Sequence, residues 1–150
     1  MTAPLIGKIP AFFGCTDLKE ISIPKSVTNI ENVAFTHCSK LENIIIDSED
    51  KKYASVDGVL YNKDCKELIF CPYGRRFLEI PDGVEKIGND AFRSCNNLES
   101  VKLPDSINII GAYAFDYCTS LTSIKIPDGV NIIGAGAFSV CTKYPLNPPA

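Results

Sequence analysis

The chain has 150 residues, 45% hydrophobic and 22% charged, which is the composition of a folded protein and not of a disordered one. Its net charge of −3 at pH 7 gives no basic footprint for nucleic acid, so we expect no nucleic-acid partner. No apolar run approaches the ~20 residues of a membrane-spanning helix, so we expect no membrane insertion.

A short anchor, Ala-Phe followed three residues later by Cys, recurs along the whole chain. Successive anchors are 23, 57, 23 and 23 residues apart, so one coil in the middle carries an insertion. A fixed period of this length is typical of solenoids, in which one coil cannot bury its own apolar edge but stacked coils can. The anchors are Ala11-Phe12 with Cys15, Ala34-Phe35 with Cys38, Ala91-Phe92 with Cys95, Ala114-Phe115 with Cys118, and Ala137-Phe138 with Cys141.

Each period contains the same sequence of elements. A leucine three residues after the Cys precedes an alternating I-x-I run, as in Ile44 to Ile46, which predicts a short strand with one buried face. A proline such as Pro104 ends the strand because it has no N–H to donate. A V-x-x-I run then predicts a second extended segment, and the Gly that follows predicts a turn that a side chain would obstruct.

The irregular coil spans about residues 47–80, between regular coils at about 6–46 and 81–141. Its first part, DSEDKKYA, is polar and predicts a loop. The following segment predicts a β-hairpin of Val59–Tyr61 and Glu67–Phe70, joined through residues 62–64. A proline-rich tail at 142–150 cannot continue the ladder, and we expect the 150 residues to form a single domain.

The units AFRSCNNLESVKLPDSINIIG and AFDYCTSLTSIKIPDGVNIIG resemble BspA-like leucine-rich repeats, and YASVDGVLYNKDCKELIFCP resembles an insertion common in that family. The resemblance covers about residues 6–141. It implies a leucine-rich-repeat solenoid, a right-handed stack of β-rich coils with a parallel β-ladder. It also implies a surface or secreted protein, since several members act as adhesins that bind host matrix or plasma proteins.

The chemistry-bearing residues favour no catalytic or cofactor site. Five of the seven cysteines share one repeat position, which predicts a ladder of buried free thiols, although a disulfide between Cys65 and Cys71 stays open. His37 is the one histidine and stands beside Cys38, but other coils fill the same cysteine position without a histidine. Without a metal-binding or nucleophile motif, we expect no metal, no cofactor and no enzyme activity.

Two surfaces are candidate binding sites. The first is the outer face of the β-ladder, whose residues vary from coil to coil while the core positions are fixed. Such variation suits recognition, although solvated positions also drift without any function. This ladder face comprises Ser22, Ile45, Glu79, Lys102, Lys125, Asn43, Ser100 and Ser123. The second is a patch around the hairpin tip, because loops that interrupt an array often carry its contacts. It comprises Tyr61, Asn62, Lys63 and Tyr73.

The sequence therefore predicts a non-enzymatic repeat module that binds a protein ligand, with an adhesin-type contact to host matrix, plasma or microbial proteins as the sharper form. A structural spacer within a longer surface protein and an intracellular interaction module stay as alternatives. The resemblance favours an extracellular or cell-surface location, while the N-terminus lacks the features of a secretory signal and free thiols suit the cytoplasm. Strand edges at the ends of a solenoid predict possible end-to-end self-association.

Overall fold

The structure is a computed structural model that describes residues 12–143. These residues contain 11 short strands and one 3₁₀ helix, Asn32–Phe35. The strands are β1 (Glu20–Ile23), β2 (Asn43–Ile46), β3 (Tyr53–Val56), β4 (Val59–Asn62), β5 (Glu67–Phe70), β6 (Phe77–Glu79), β7 (Lys86–Ile87), β8 (Ser100–Lys102), β9 (Ile109–Ile110), β10 (Ser123–Ile124) and β11 (Ile132–Ile133).

The I-x-I runs form a parallel ladder, as the alternation predicts. Strand β1 pairs with β2, and β6 pairs with β8, which pairs with β10; aligned partners such as Ile21 and Ile44 lie one repeat apart. In β2, Ile44 and Ile46 point into the core while Ile45 remains 41% exposed. The predicted leucine-rich-repeat solenoid is therefore confirmed.

Three of the V-x-x-I runs form β7, β9 and β11, which continue from β5 of the hairpin as a second ladder, β5-β7-β9-β11, on the other side of the coils. The first such run, residues 27–30, forms no strand. A glycine follows β7, β9 and β11, and the close approach of neighbouring coils requires it. A Cβ added to Gly134 would lie 2.3 Å from the backbone nitrogen of Ala112, and one added to Gly111 would lie 2.7 Å from that of Asn89. No side chain fits at these distances, so the glycine is fixed by coil packing.

The Ala-Phe-x-x-Cys turns close the third side of each coil. The phenylalanines stack in the interior, with ring centroids 4.7 Å apart for Phe92 and Phe115 and 5.2 Å apart for Phe115 and Phe138. Each buried cysteine at the repeat position donates a thiol hydrogen bond to a carbonyl of the preceding coil, as from Cys118 Sγ to Phe92 O at 3.1 Å. The cysteine thus adds a polar link between coils to its packing role.

The seven cysteines are free in the structure, and the repeat position is buried except in the first described coil, where Cys15 is exposed. Sγ of Cys38 donates to Phe12 O, while Cys15 has no earlier described coil behind it. The predicted thiol ladder therefore runs through Cys38, Cys95, Cys118 and Cys141 and not through Cys15.

The insertion is a three-stranded antiparallel meander, β3-β4-β5, that continues the second ladder. The predicted hairpin of β4 and β5 is present. The predicted polar loop is wrong at its end, because Tyr53 and Ala54 belong to β3. Asp57 and Gly58, with φ of 49° and 75°, form the two-residue turn between β3 and β4 that an Asp-Gly pair favours.

The meander separates two hydrophobic cores. Val59 and Leu68 face the C-terminal core, while Leu60 and Phe70 face the N-terminal core. Because both faces of β4 and β5 are covered, the sequences of these strands are nearly continuous apolar runs. Among the described strands β2 does not pair with β6, so the first ladder consists of two separate sheets, β1-β2 and β6-β8-β10.

Candidate binding surfaces

The ladder face is divided by the insertion into two parts. The N-terminal part presents exposed Ser22 and Ile45, which are register partners on β1 and β2. The C-terminal part presents exposed Glu79 and Lys102 with Lys125 one rung further on. Ser123 is exposed, whereas Ser100 and Asn43 are half-buried. The eight predicted residues therefore do not form one continuous strip.

Charge on the C-terminal part is unevenly compensated. Glu79 and Lys102 are register partners and form an ion pair, and the hydrogen bond to Glu79 raises the pKa of Lys102 above its ordinary value. Lys125 has no ion-pair partner within residues 12–143. It is therefore the cation of this surface that an acidic partner would neutralise.

A shallow groove of about 400 Å³ lies over the paired strands β8 and β10 and extends past their C-terminal ends. Lys102 and Lys125 contribute to one part of its wall, and Leu103 and Pro127 contribute apolar surface. Asp105 adds a carboxylate beside these residues. The groove therefore combines apolar contact area with charges of both signs, as the polar rims of protein interfaces do.

Phe77 belongs to this surface although the sequence reasoning missed it. It is the register partner of Ser100, its side chain is 58% exposed, and the guanidinium of Arg76 lies 5.4 Å from its ring centroid. Aromatic and arginine side chains dominate the binding energy of protein interfaces. Counting back from Pro81, as from Pro104 in the next coil, would have placed Phe77 at the outward position before the I-x-I pair.

Asn43 has a structural partner. Arg75, whose side chain is only 16% exposed, donates to Asn43 Oδ1 at 3.0 Å, to Glu42 O at 2.8 Å and to Asp57 Oδ2 at 3.2 Å. The guanidinium thereby ties β2 to the turn between β3 and β4. Asn43 stays a predicted binding residue, but its amide oxygen is already used inside the fold.

The secondary patch does not form one surface. Tyr61 is 1% exposed because both faces of β4 are covered, so its prediction as an exposed contact is wrong. Asn62 Oδ1 accepts the backbone N–H groups of Lys66 and Glu67, both at 2.9 Å, which orders the hairpin tip. Lys63 is exposed at that tip and donates to Ser48 O, whereas Tyr73 follows the opposite end of β5.

Tyr73 instead lies at a notch in the turn edge of the solenoid, between the turns at His37 and Ser94. The notch has a volume of about 190 Å³ and is also lined by Thr36, Ser39, Asn96 and Asn97. Burial raises the pKa of the Tyr73 phenol to about 12, although a hydrogen bond with Thr36 opposes the shift. Its hydroxyl therefore stays protonated at physiological pH.

Cys38 and its neighbour His37 make contacts that stabilise the fold. Burial raises the pKa of the Cys38 thiol above its ordinary value, and the thiol donates to Phe12 O at 2.9 Å. The His37 ring packs edge-on against Phe13, with centroids 5.1 Å apart. A protonated thiol bound to a carbonyl is a poor nucleophile.

Two further features of the described residues bear on function. Across residues 12–143, three or more His, Cys, Asp or Glu side chains nowhere come together as a metal-ligand cluster. The same part of the chain contains no helix long and apolar enough to cross a membrane.

At the C-terminal end, Ile132 and Ile133 of β11 are 53% and 54% exposed, and end-to-end self-association stays a prediction.

Comparison with known proteins gives a consistent result. The family model described as "BspA type Leucine rich repeat region" matches residues 6–72 and 63–145, in six copies. A leucine-rich cell-surface protein from Faecalibacterium prausnitzii is similar, with 34% identity, a TM-score of 0.60, and coverage of 85% of this chain and 47% of that one. The pneumococcal vaccine antigen PcpA is similar with 26% identity, a TM-score of 0.66, and coverage of 75% and 28%. This chain thus spans less than half of either structure, and no curated protein matches it.

Proposed function

Because this chain belongs to the BspA-type leucine-rich repeat family, whose solenoids typically serve protein interaction, we propose that its C-terminal ladder face binds a protein ligand at a bacterial cell surface. In its sharper form the proposal is an adhesin-type contact with a host matrix or plasma protein. The observation that carries it is that exposed Phe77, packed by Arg76, lies on the same ladder face as the groove at β8 and β10, whose lining includes Lys125.

The physical support comes from how this surface is built. Phe77 stands on β6 and Lys125 directly follows β10, and both strands are held by the buried core below, so the backbone of this surface loses little conformational entropy on binding. Phe77 offers an aromatic anchor, and Lys125 offers a charge that an acidic partner would pair with. The cell-surface similarity of the Faecalibacterium protein supports the location.

The test is binding of the purified chain to immobilised fibronectin and fibrinogen at physiological salt. We expect saturable binding that weakens about 10-fold or more in Phe77→Ala, since interface anchors contribute upward of ~1.4 kcal/mol. Lys125→Glu should slow association and weaken binding, most strongly at low salt. Lys143→Glu is the matched control, because it makes the same change in net charge at an exposed position beyond the last strand.

The competing functions predict different results. A spacer within a longer surface protein predicts no saturable binding to either ligand by the unmodified chain. An interface at the hairpin tip predicts that Lys63→Glu weakens binding while Phe77→Ala does not. If Lys125→Glu and Lys143→Glu weakened binding equally, the loss of affinity would come from the change in net charge. That result would contradict the assignment of the binding site to the ladder face.

A further inference from the structure

The outermost hydrogen bonds between the turns of neighbouring coils form a column of peptide groups, with one such group in each regular coil. The N–H of the residue before each cysteine donates to the next coil, as from Ser94 N to Asp116 O at 2.8 Å and from Tyr117 N to Ser139 O at 2.9 Å. Asp116 C=O and Tyr117 N–H belong to the same peptide bond. Each regular turn therefore accepts from the coil before it and donates to the coil after it through one trans amide.

The backbone of these turns is shaped for that role. The residue before each repeat-position cysteine has a left-handed backbone, with φ between 52° and 71° across the five turns. The five residues are Gly14, His37, Ser94, Tyr117 and Val140. The recurrence of this otherwise uncommon conformation, even at a β-branched valine, indicates that the amide orientation is fixed by its neighbours.

The insertion removes one amide from this column. We call the boundary between the two hydrophobic cores, where the meander interrupts the array, the seam. The chain crosses it at Cys71, whose N–H still donates to Ala91 O at 2.8 Å, as the phenylalanine N–H does in regular coils. Pro72, Tyr73 and Gly74 then leave the turn path, and Gly74 N donates back to Leu41 O at 2.7 Å. The inner part of the rung is kept, and its outer peptide group is missing.

The missing amide leaves one donor and one acceptor on opposite walls of the notch. Within residues 12–143 the N–H of His37 has no acceptor, although the equivalent Gly14 N–H donates to Thr36 O at 3.0 Å. On the other wall the Arg93 carbonyl receives no hydrogen bond from the described residues, whereas the equivalent Asp116 carbonyl does. Arg93 lines an adjoining cavity of about 250 Å³, which shares Thr36, Tyr73 and Ser94 with the notch.

A ligand that completes the column must accept from one wall and donate to the other. An anion cannot donate and an ammonium group cannot accept, so neither satisfies both walls. A hydroxyl can do both, but only from a single oxygen, whereas a trans secondary amide carries its C=O and N–H on opposite sides and is the group that spans this gap in the regular coils. We propose that the notch binds the acetamido group of an N-acetylated amino sugar, with His37 N–H donating to the acetyl oxygen and the Arg93 carbonyl accepting from the ligand N–H.

The remaining lining favours a sugar over a peptide. Ser39, Ser94 and Asn96 supply hydroxyl and amide groups that can pair with ring hydroxyls, and the Asn97 amide closes the floor by donating to Tyr73 O at 3.1 Å. The volume of about 190 Å³ suits one ring and offers no separate apolar pocket for a peptide side chain. This site lies on the turn edge and is independent of the ladder face.

The test is titration of the ¹⁵N-labelled chain with N-acetylglucosamine, followed through the backbone amide resonances. We expect saturable shifts at His37 and Ser94, with binding of glucose weaker by roughly 30-fold, because glucose lacks both acetamido hydrogen bonds and each contributes about a factor of 5. Ser39→Trp should fill the notch and abolish the shifts. Thr142→Trp, at the equivalent place after Cys141, should leave them unchanged.

Other outcomes overturn the proposal. Shifts with the blocked peptide N-acetylglycine N-methylamide but not with the sugar would assign the notch to a protein ligand. Equal affinity for glucose and N-acetylglucosamine would exclude the amide bridge, and no shift with any of the three probes would exclude the site. If Ser39→Trp does not fold, Asn96→Trp fills the notch from the opposite wall.

Discussion

Replacing Phe115 by alanine is expected to lower the free energy of unfolding by about 3–5 kcal/mol, the usual cost of removing a buried aromatic ring. The Phe115 side chain is fully buried and stacks between Phe92 and Phe138, so the cavity would lie inside the column of rings that joins three coils. The midpoint of urea unfolding, read by circular dichroism, measures the loss.

Phe77→Ala is the matched control for that substitution. It removes the same ring from a position that is 58% exposed, so stability should change by only about 0.5 kcal/mol. Similar losses in the two variants would mean that the repeat register assigned to the phenylalanines is wrong.

Replacing Arg75 by alanine is expected to destabilise the N-terminal half by about 2–3 kcal/mol, since several charge-assisted hydrogen bonds from a largely buried guanidinium are removed together. Arg75 joins Glu42, Asn43 and Asp57, and so connects β2 to the meander. Arg75→Lys should recover little, because an ammonium group lacks the planar fork that reaches all three partners. Hydrogen exchange across β1 and β2 should rise in both variants.

The neighbouring Arg76 provides the control for Arg75. Its guanidinium pairs with Glu99 at 2.6 Å, but its side chain is 64% exposed, so Arg76→Ala should cost no more than ~1 kcal/mol. A loss in Arg76→Ala as large as in Arg75→Ala would contradict the role given to Arg75 as the link across the seam.

The regular coils could be predicted because the same packing constraints recur in every coil. The positions of Ala114, Phe115 and Leu121 must be apolar in every coil, and the tight approach at Gly134 admits no side chain. Each constraint therefore appears several times in one sequence, which is enough to fix the period, both ladders and the buried thiols. The outward positions of Lys102 and Lys125 follow from the same register.

The seam could not be predicted in the same way because it occurs once. The prediction of Tyr61 as a contact rests on its place near the hairpin tip, but β4 is covered by a core on each side. The Asp57-Gly58 pair was a usable signal for the turn before β4. The His37 N–H and the Arg93 carbonyl are unpaired because the chain departs from a regular turn at Pro72. The size of that departure cannot be predicted from composition or from repeat spacing.

Amide hydrogen exchange at His37 tests most directly whether the insertion breaks the turn edge. Ser94 and Tyr117 are its matched references, since they hold the same left-handed turn position and donate to the next coil at 2.8 and 2.9 Å. We predict that the His37 amide exchanges far faster than these two in the free protein. Protection of His37 equal to that of Ser94 would mean that the column is continuous, and would contradict both the seam and the notch.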